Sequence, residues 1–185
     1  MPSPIAHSLS GVLLYLIFNA HEPKYNIPKL FLYIFFANLP DIDLVFGFLL
    51  NDPNLYHQTI FHSLGAAILA GFITNIPQMF KKELYINNSL KFILLYYSHI
   101  VLDYLGSASD TKYPFGVTLF WPLNHEHYVF PVMIFLDIWR GKSNETFFSG
   151  LFNLHNLLAI AIELAIFLPL IIISHYYIFH KKQVI

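Results

Sequence analysis

Seven side chains able to hold a divalent cation or move a proton are spread along the first part of the chain: His7, Asp41, Asp43, His57, His62, His99 and Asp103. His99 and Asp103 are four residues apart, so on a helix both project from one face and offer an imidazole and a carboxylate to one ion. Asp41 and Asp43 follow Pro40 directly, where a helix loses a backbone donor and bends. His57 and His62 are five apart, which does not align them on a regular helix. They converge only if His57 lies in a loop ahead of it. Imidazole and carboxylate ligands suit zinc, manganese or iron without choosing among them, and four or more ligands leave room for one ion or two. The chain has no cysteine, which excludes thiolate metal sites, disulfides and cysteine nucleophiles.

The elements that must bring these residues together are apolar. Hydrophobic residues make up 56% of the 185 and charged residues 11%, and the mean hydropathy is +0.55. A soluble domain carries about 25% charged residues. The composition therefore excludes a disordered chain and an ordinary cytosolic enzyme. With a net charge of −1 it also excludes a nucleic-acid partner bound through a basic patch. The expected fold is all-α: a polytopic membrane helix bundle of about five spans, forming a single domain over residues 1–185 with the lipid bilayer as its surroundings. The spans are expected at Ile5–Ala20, Leu30–Leu50, Ile60–Phe80, Ser89–Leu105 and Leu157–Phe179. A long, partly ordered connection, Gly106–Asn156, precedes the last, and its Phe130–Trp139 stretch reads as a short interfacial or re-entrant helix. Lys24, Lys29, Lys81, Lys82, Lys91, Lys181 and Lys182 fall on one side of this topology. The positive-inside rule then puts the N-terminus outside and the C-terminus in the cytoplasm.

Alternating spans gather all seven groups at one end of the bundle, the non-cytoplasmic end. Ionisable residues inside apolar spans are costly, so each is a functional candidate. Taken singly, His99 and Asp103 also read as a hydrogen-bonded helix pair, and Asp41 and Asp43 as solvated carboxylates at a helix end. The sorting of all seven to one end favours a site. A metal or proton transporter uses the same residue types, but clustering at one end and the lack of an internal repeat argue against it. A non-catalytic protein tied together by metal remains open. Haem held by His62 and His99 is disfavoured by the neighbouring carboxylates. His21, His155, His175 and His180 read as structural, and His125-Glu126-His127 as a wet loop pair. Glu163 reads either as neutralising the cavity or as pairing with a neighbour. Ser63 reads as a helix cap, since no Gly-rich elbow surrounds it.

At these motifs the chain resembles the YdjM-like, LexA-regulated family of bacterial inner-membrane metal-dependent hydrolases, which is distantly similar to zinc-dependent phospholipase C. The matching pieces are His7-Ser8, Asn38-Leu39-Pro40-Asp41-Ile42-Asp43, His57-Gln58-Thr59-Ile60-Phe61-His62-Ser63, Ser98-His99-Ile100-Val101-Leu102-Asp103 and Gly116 with Trp121-Pro122-Leu123. They cover residues from about 5 to 125 in order. Gln58 stands where the family often has Arg, which argues against an anion-clamping role there, and Phe61 where Thr is common. The resemblance implies an inner-membrane protein and a divalent ion, zinc foremost, that activates water for hydrolysis. On that reading His7, Asp41, His62, His99 and Asp103 hold the ion. Asp43 is the general base or the orienter of a histidine, and His57 a ligand or the acid for the leaving group. A site at headgroup level then takes an amphiphilic phosphoester or ester, such as a lipid. Oligomeric state is not legible in the sequence.

Overall fold

The computed structural model describes residues 1–22, 24–74, 76, 86–106 and 116–183. Helix α1 runs Pro4–Phe18. Ser3 starts it: its hydroxyl accepts from the Ile5 N–H at 3.1 Å, and Pro4 takes the first position, where no donor is needed. Helix α2, Ile27–Asn38, begins the same way, with Asn26 accepting from the Lys29 N–H at 3.0 Å and Pro28 in the first turn. Pro40 then brings no backbone donor, and the chain tightens into a 3-10 turn over Leu39–Ile42 before α3, Asp43–Leu49. A second 3-10 turn, Ile60–His62, leads into α4, Leu64–Ile73. Ser63 caps α4, accepting from the Ala66 N–H at 3.1 Å. Helix α5 spans Ile86–Gly106, short α6 spans Asn144–Phe147, and α7 spans Leu154–Gln183.

Helix α1 packs on α2, α5 and α7, and α4 packs on α5. Gly11 permits the approach of α1 to α2: a Cβ there would lie 3.0 Å from the Ile34 Cα and 3.1 Å from the Ala37 Cβ. His7 lies one turn before Gly11, so the same approach draws His7 toward the end of α2. The buried apolar clusters are small, for example Tyr15, Leu16, Tyr33 and Leu95. Large apolar side chains are left outside instead, among them Phe31, Leu49, Ile172 and Ile173, each more than 60% exposed. A surface this apolar needs covering.

The described residues are helical or irregular, with a single isolated bridge between Val117 and Tyr128, in keeping with an all-α expectation. Two stretches are long and apolar enough to cross a bilayer: Ile27–Leu49, of 23 residues and mean hydropathy 1.5, and Leu154–Ile178, of 25 residues and mean hydropathy 2.7. Five such spans are not displayed. Helix α1 has 15 residues and α4 only 10. The expected continuation of the third span to Phe80 falls largely outside the described residues. Helix α5 is long enough but carries Lys91, His99 and Asp103 within it.

The helix expected at Phe130–Trp139 is absent; the segment is irregular. Pro131 lies near its start, and its donors are used over long range. Ile134 N–H bonds to Leu105 O at 2.9 Å, Ile138 N–H to Met1 O at 3.0 Å, and Trp139 N–H to Asn156 Oδ1 at 2.8 Å. Those bonds replace the i to i−4 ladder and strap the connection across the ends of α1, α5 and α7.

Candidate metal centre

The end of α2 and its 3-10 turn, the loop ahead of α4, and the last turns of α5 meet against the start of α1. Each contributes polar groups to one point. His62 Nε2 lies 3.2 Å from His99 Nε2, 3.1 Å from Asp103 Oδ2 and 3.7 Å from Asp41 Oδ1. His99 Nε2 is 3.5 Å from both Asp41 Oδ1 and Asp103 Oδ2. Four donors at about 2.0–2.1 Å from a tetrahedral zinc ion stand about 3.3–3.4 Å apart. The five separations scatter around that value. His7 adds a further donor: its ring stacks on His99 at 3.6 Å, and its Nε2 lies 3.3 Å from Asp103 Oδ1.

The tautomers decide what these atoms want. His99 Nδ1 donates to the Ala37 carbonyl at 2.8 Å, which leaves Nε2 of the neutral ring a bare lone pair. His62 Nδ1 lies 3.0 Å from Asp43 Oδ2, near enough for the carboxylate charge to bear on the ring, although neither atom forms a hydrogen bond among the described residues. Two ring nitrogens and two carboxylate oxygens then face one another in a buried space. Asp43, His62, His99 and Asp103 are 0% exposed and His7 is 1% exposed. Neither ring nitrogen of His7, nor Asp41 Oδ1, forms a hydrogen bond among the described residues. Buried polar atoms brought this close together are costly to desolvate, and a divalent cation could be held among them. Three groups in this cluster have the donor spacing for an ion: His7, Asp41 and His99; Asp41, His57 and His62; and His62, His99 and Asp103. Asp41 belongs to two of them, and its side chain, 18% exposed, is the opening of the cluster.

Asp43 stands behind the cluster. It accepts from His57 Nδ1 at 2.9 Å through one oxygen and faces His62 through the other, orienting both rings. His57 sits in the turn before α4, where Gln58 takes a positive φ of 64°. His57 and His62 therefore converge without sharing a helix. His57 Nε2 points at the Met1 sulfur, 2.7 Å away. Burial first, then the nearby charge of Arg140, pushes His57 down to about 4, against the pull of Asp43.

All seven residues singled out in the sequence lie in or directly behind this cluster. Ser63 caps α4 and donates to Ile60 O at 2.6 Å, occupied in structure rather than chemistry. Glu163 accepts from the Ser3 N–H at 2.6 Å and from the Ser3 hydroxyl, and so anchors the start of α1 on α7. His127 bonds to Gly116 O at 3.1 Å, and His155 stacks on Trp139 and bonds to Asp137 O at 2.8 Å. Sequence reasoning missed the Ala37 carbonyl, Met1, Asn54 and Arg140. Arg140 had a signal, being the only arginine in the chain. It is half-buried, and its Nε donates to Asn54 Oδ1 at 2.8 Å.

The family described as YdjM inner membrane protein matches residues 1–182. No curated protein and no solved structure matches the chain. A match over nearly the whole length shows that the chain belongs to the YdjM inner membrane protein family.

Proposed function

We propose that this member of the family is a metal-dependent hydrolase acting at the membrane surface. The observation that carries the reading is the convergence of His62 Nε2, His99 Nε2, Asp41 Oδ1 and Asp103 Oδ2, with the His99 proton held on the far side of its ring by Ala37 O. A bound divalent ion, zinc foremost by the spacing of the donors, would lower the pKa of water toward neutrality and polarise an oxygen of the substrate. His62, His99, Asp41 and Asp103 would hold it, with His7 as an additional ligand. Asp43 accepts from His57 and faces His62, acting as a positioning residue. His57, at the edge of the cluster and neutral at pH 7, is available as a further ligand beside Asp41 and His62. The partly exposed Asp41 gives the substrate its approach.

The same reading has α1, α4 and α5 completing a bundle in the bilayer with the two long apolar stretches. Its N-terminus is outside, its C-terminus cytoplasmic, and the substrate is an ester or phosphoester of a lipid or another amphiphile. The test is the metal content of detergent-purified protein beside His62→Ala and His99→Ala. One or two ions per wild-type chain, lost in both variants, are expected. A screen of phosphodiesters, phosphomonoesters and lipid esters follows. A metal-replete wild type that turns over none of them would refute hydrolysis while leaving the centre standing.

A further inference from the structure

One cation stands beside the cluster without an ion-pair partner among the described residues. The Arg140 guanidinium carbon lies 5.8 Å from the centre of the Phe147 ring, and its Nε is engaged by Asn54, three residues before His57. Among the described residues Arg140 makes no other hydrogen bond and no ion pair, so of five N–H donors the two terminal nitrogens keep theirs. It is nonetheless close enough for its charge to act on His57, while Asp41, Asp103 and Asp43 sustain its own charge against burial. Asn54 and Phe147 hold the guanidinium from two different segments, which fixes it in advance of any ligand. A half-buried guanidinium with a free fork suits a planar or tetrahedral oxyanion, which it grips through paired N–H bonds.

We propose that Arg140 is the anion-binding residue of this centre and that the ester it selects carries a phosphate group. This rests on the metal-centre reading above and narrows its substrate from esters in general to phosphoesters. The phosphate would meet the cluster on the side of Asp41 and His57, the residues nearest its opening. Were Arg140 only a strut between the connection and the Asn54 loop, replacing it would alter stability and leave anion binding untouched.

The test is calorimetric titration of zinc-loaded, detergent-purified full chain with inorganic phosphate, comparing wild type, Arg140→Gln and Arg140→Lys, with zinc content measured for each. Phosphate binding at least about tenfold weaker in Arg140→Gln at unchanged zinc content is expected, with Arg140→Lys between the two. Equal affinity in wild type and Arg140→Gln, or no phosphate binding by the zinc-loaded wild type, overturns the proposal and leaves the metal centre intact. A wild type that takes up no zinc overturns the centre itself, and this proposal with it. A second arm in nanodiscs assigns the source of the phosphate. Weaker apparent phosphate affinity in phosphatidic acid than in phosphatidylcholine assigns a lipid headgroup, and equal affinity assigns a free phosphoester.

Discussion

Glu163 and the Asp41/Asp103 pair are carboxylates placed in one apolar bundle, and they are accommodated in opposite ways. Glu163 receives a backbone N–H and a hydroxyl from Ser3, donors supplied by a single residue of the facing helix. Asp41 and Asp103 face the Nε2 atoms of His62 and His99, and the His99 proton is held by Ala37 O on the far side of its ring. The first arrangement is complete in the protein alone. The second is a convergence of ring nitrogens and carboxylates, with two imidazole nitrogens 3.2 Å apart. Protonating both at Nε2 would set two N–H groups head to head, so protons cannot relieve the cluster fully. The contrast separates a buried polar group that ties helices from a set whose donor spacing could hold a cation.

Asp43→Asn attacks the difference at its root. The amide keeps the size of the side chain but removes the charge that accepts from His57 Nδ1 and faces His62 Nδ1. Metal affinity is expected to fall about 10–100-fold, the usual cost of losing a carboxylate behind a ligating histidine. Competition with a chromophoric chelator reads it out. An affinity within twofold of wild type would mean that Asp43 does not position the ligating rings.

A proton-linked effect comes next. Ligands must bind the ion in their deprotonated form, so loading the centre releases protons and affinity falls as pH falls. With two or three imidazoles among the ligands, a loss of about tenfold or more between pH 7.5 and 5.5 is expected. His57, held down at about 4, stays neutral throughout that interval and adds nothing to the slope. Calorimetry in two buffers of different ionisation enthalpy measures the released protons directly. A pH-independent affinity would place the ion on carboxylates alone.

How much of this was legible beforehand follows from the range of the interactions. The break at Asn38–Asp43 was readable because Pro40 acts on its own backbone. The His99/Asp103 pair was readable because helix periodicity is local. The convergence of distant groups was readable only through the alternation of apolar segments, although two long spans rather than five are displayed. The Phe130–Trp139 helix was misread because the bonds that shape the segment run to Leu105, Met1 and Asn156, which no local pattern announces. Nor could spacing reveal the Ala37 carbonyl, which depends on the crossing of α2 and α5 and carries no side-chain signature. Arg140 was visible only as a rarity of composition, since its tie to Asn54 bridges 86 positions.

The smallest effect on metal is expected where the contrast is sharpest. Glu163→Gln keeps a carbonyl oxygen to accept from the Ser3 N–H, but it turns the second oxygen into a donor. The Ser3 hydroxyl, which already accepts from the Ile5 N–H at 3.1 Å, must then accept again and loses the acceptor for its own proton. One buried donor is left without a partner and a charge-assisted bond becomes neutral, a loss of about 1–3 kcal/mol. The cost should fall on the start of α1, lowering the thermal midpoint in detergent. The centre has its own contacts to α2 and α5, so metal affinity should stay within about twofold. If Glu163→Gln instead lost metal as Asp43→Asn does, the anchoring of α1 by Ser3 would have to be what holds His7 in the cluster, and the two carboxylate systems would be one.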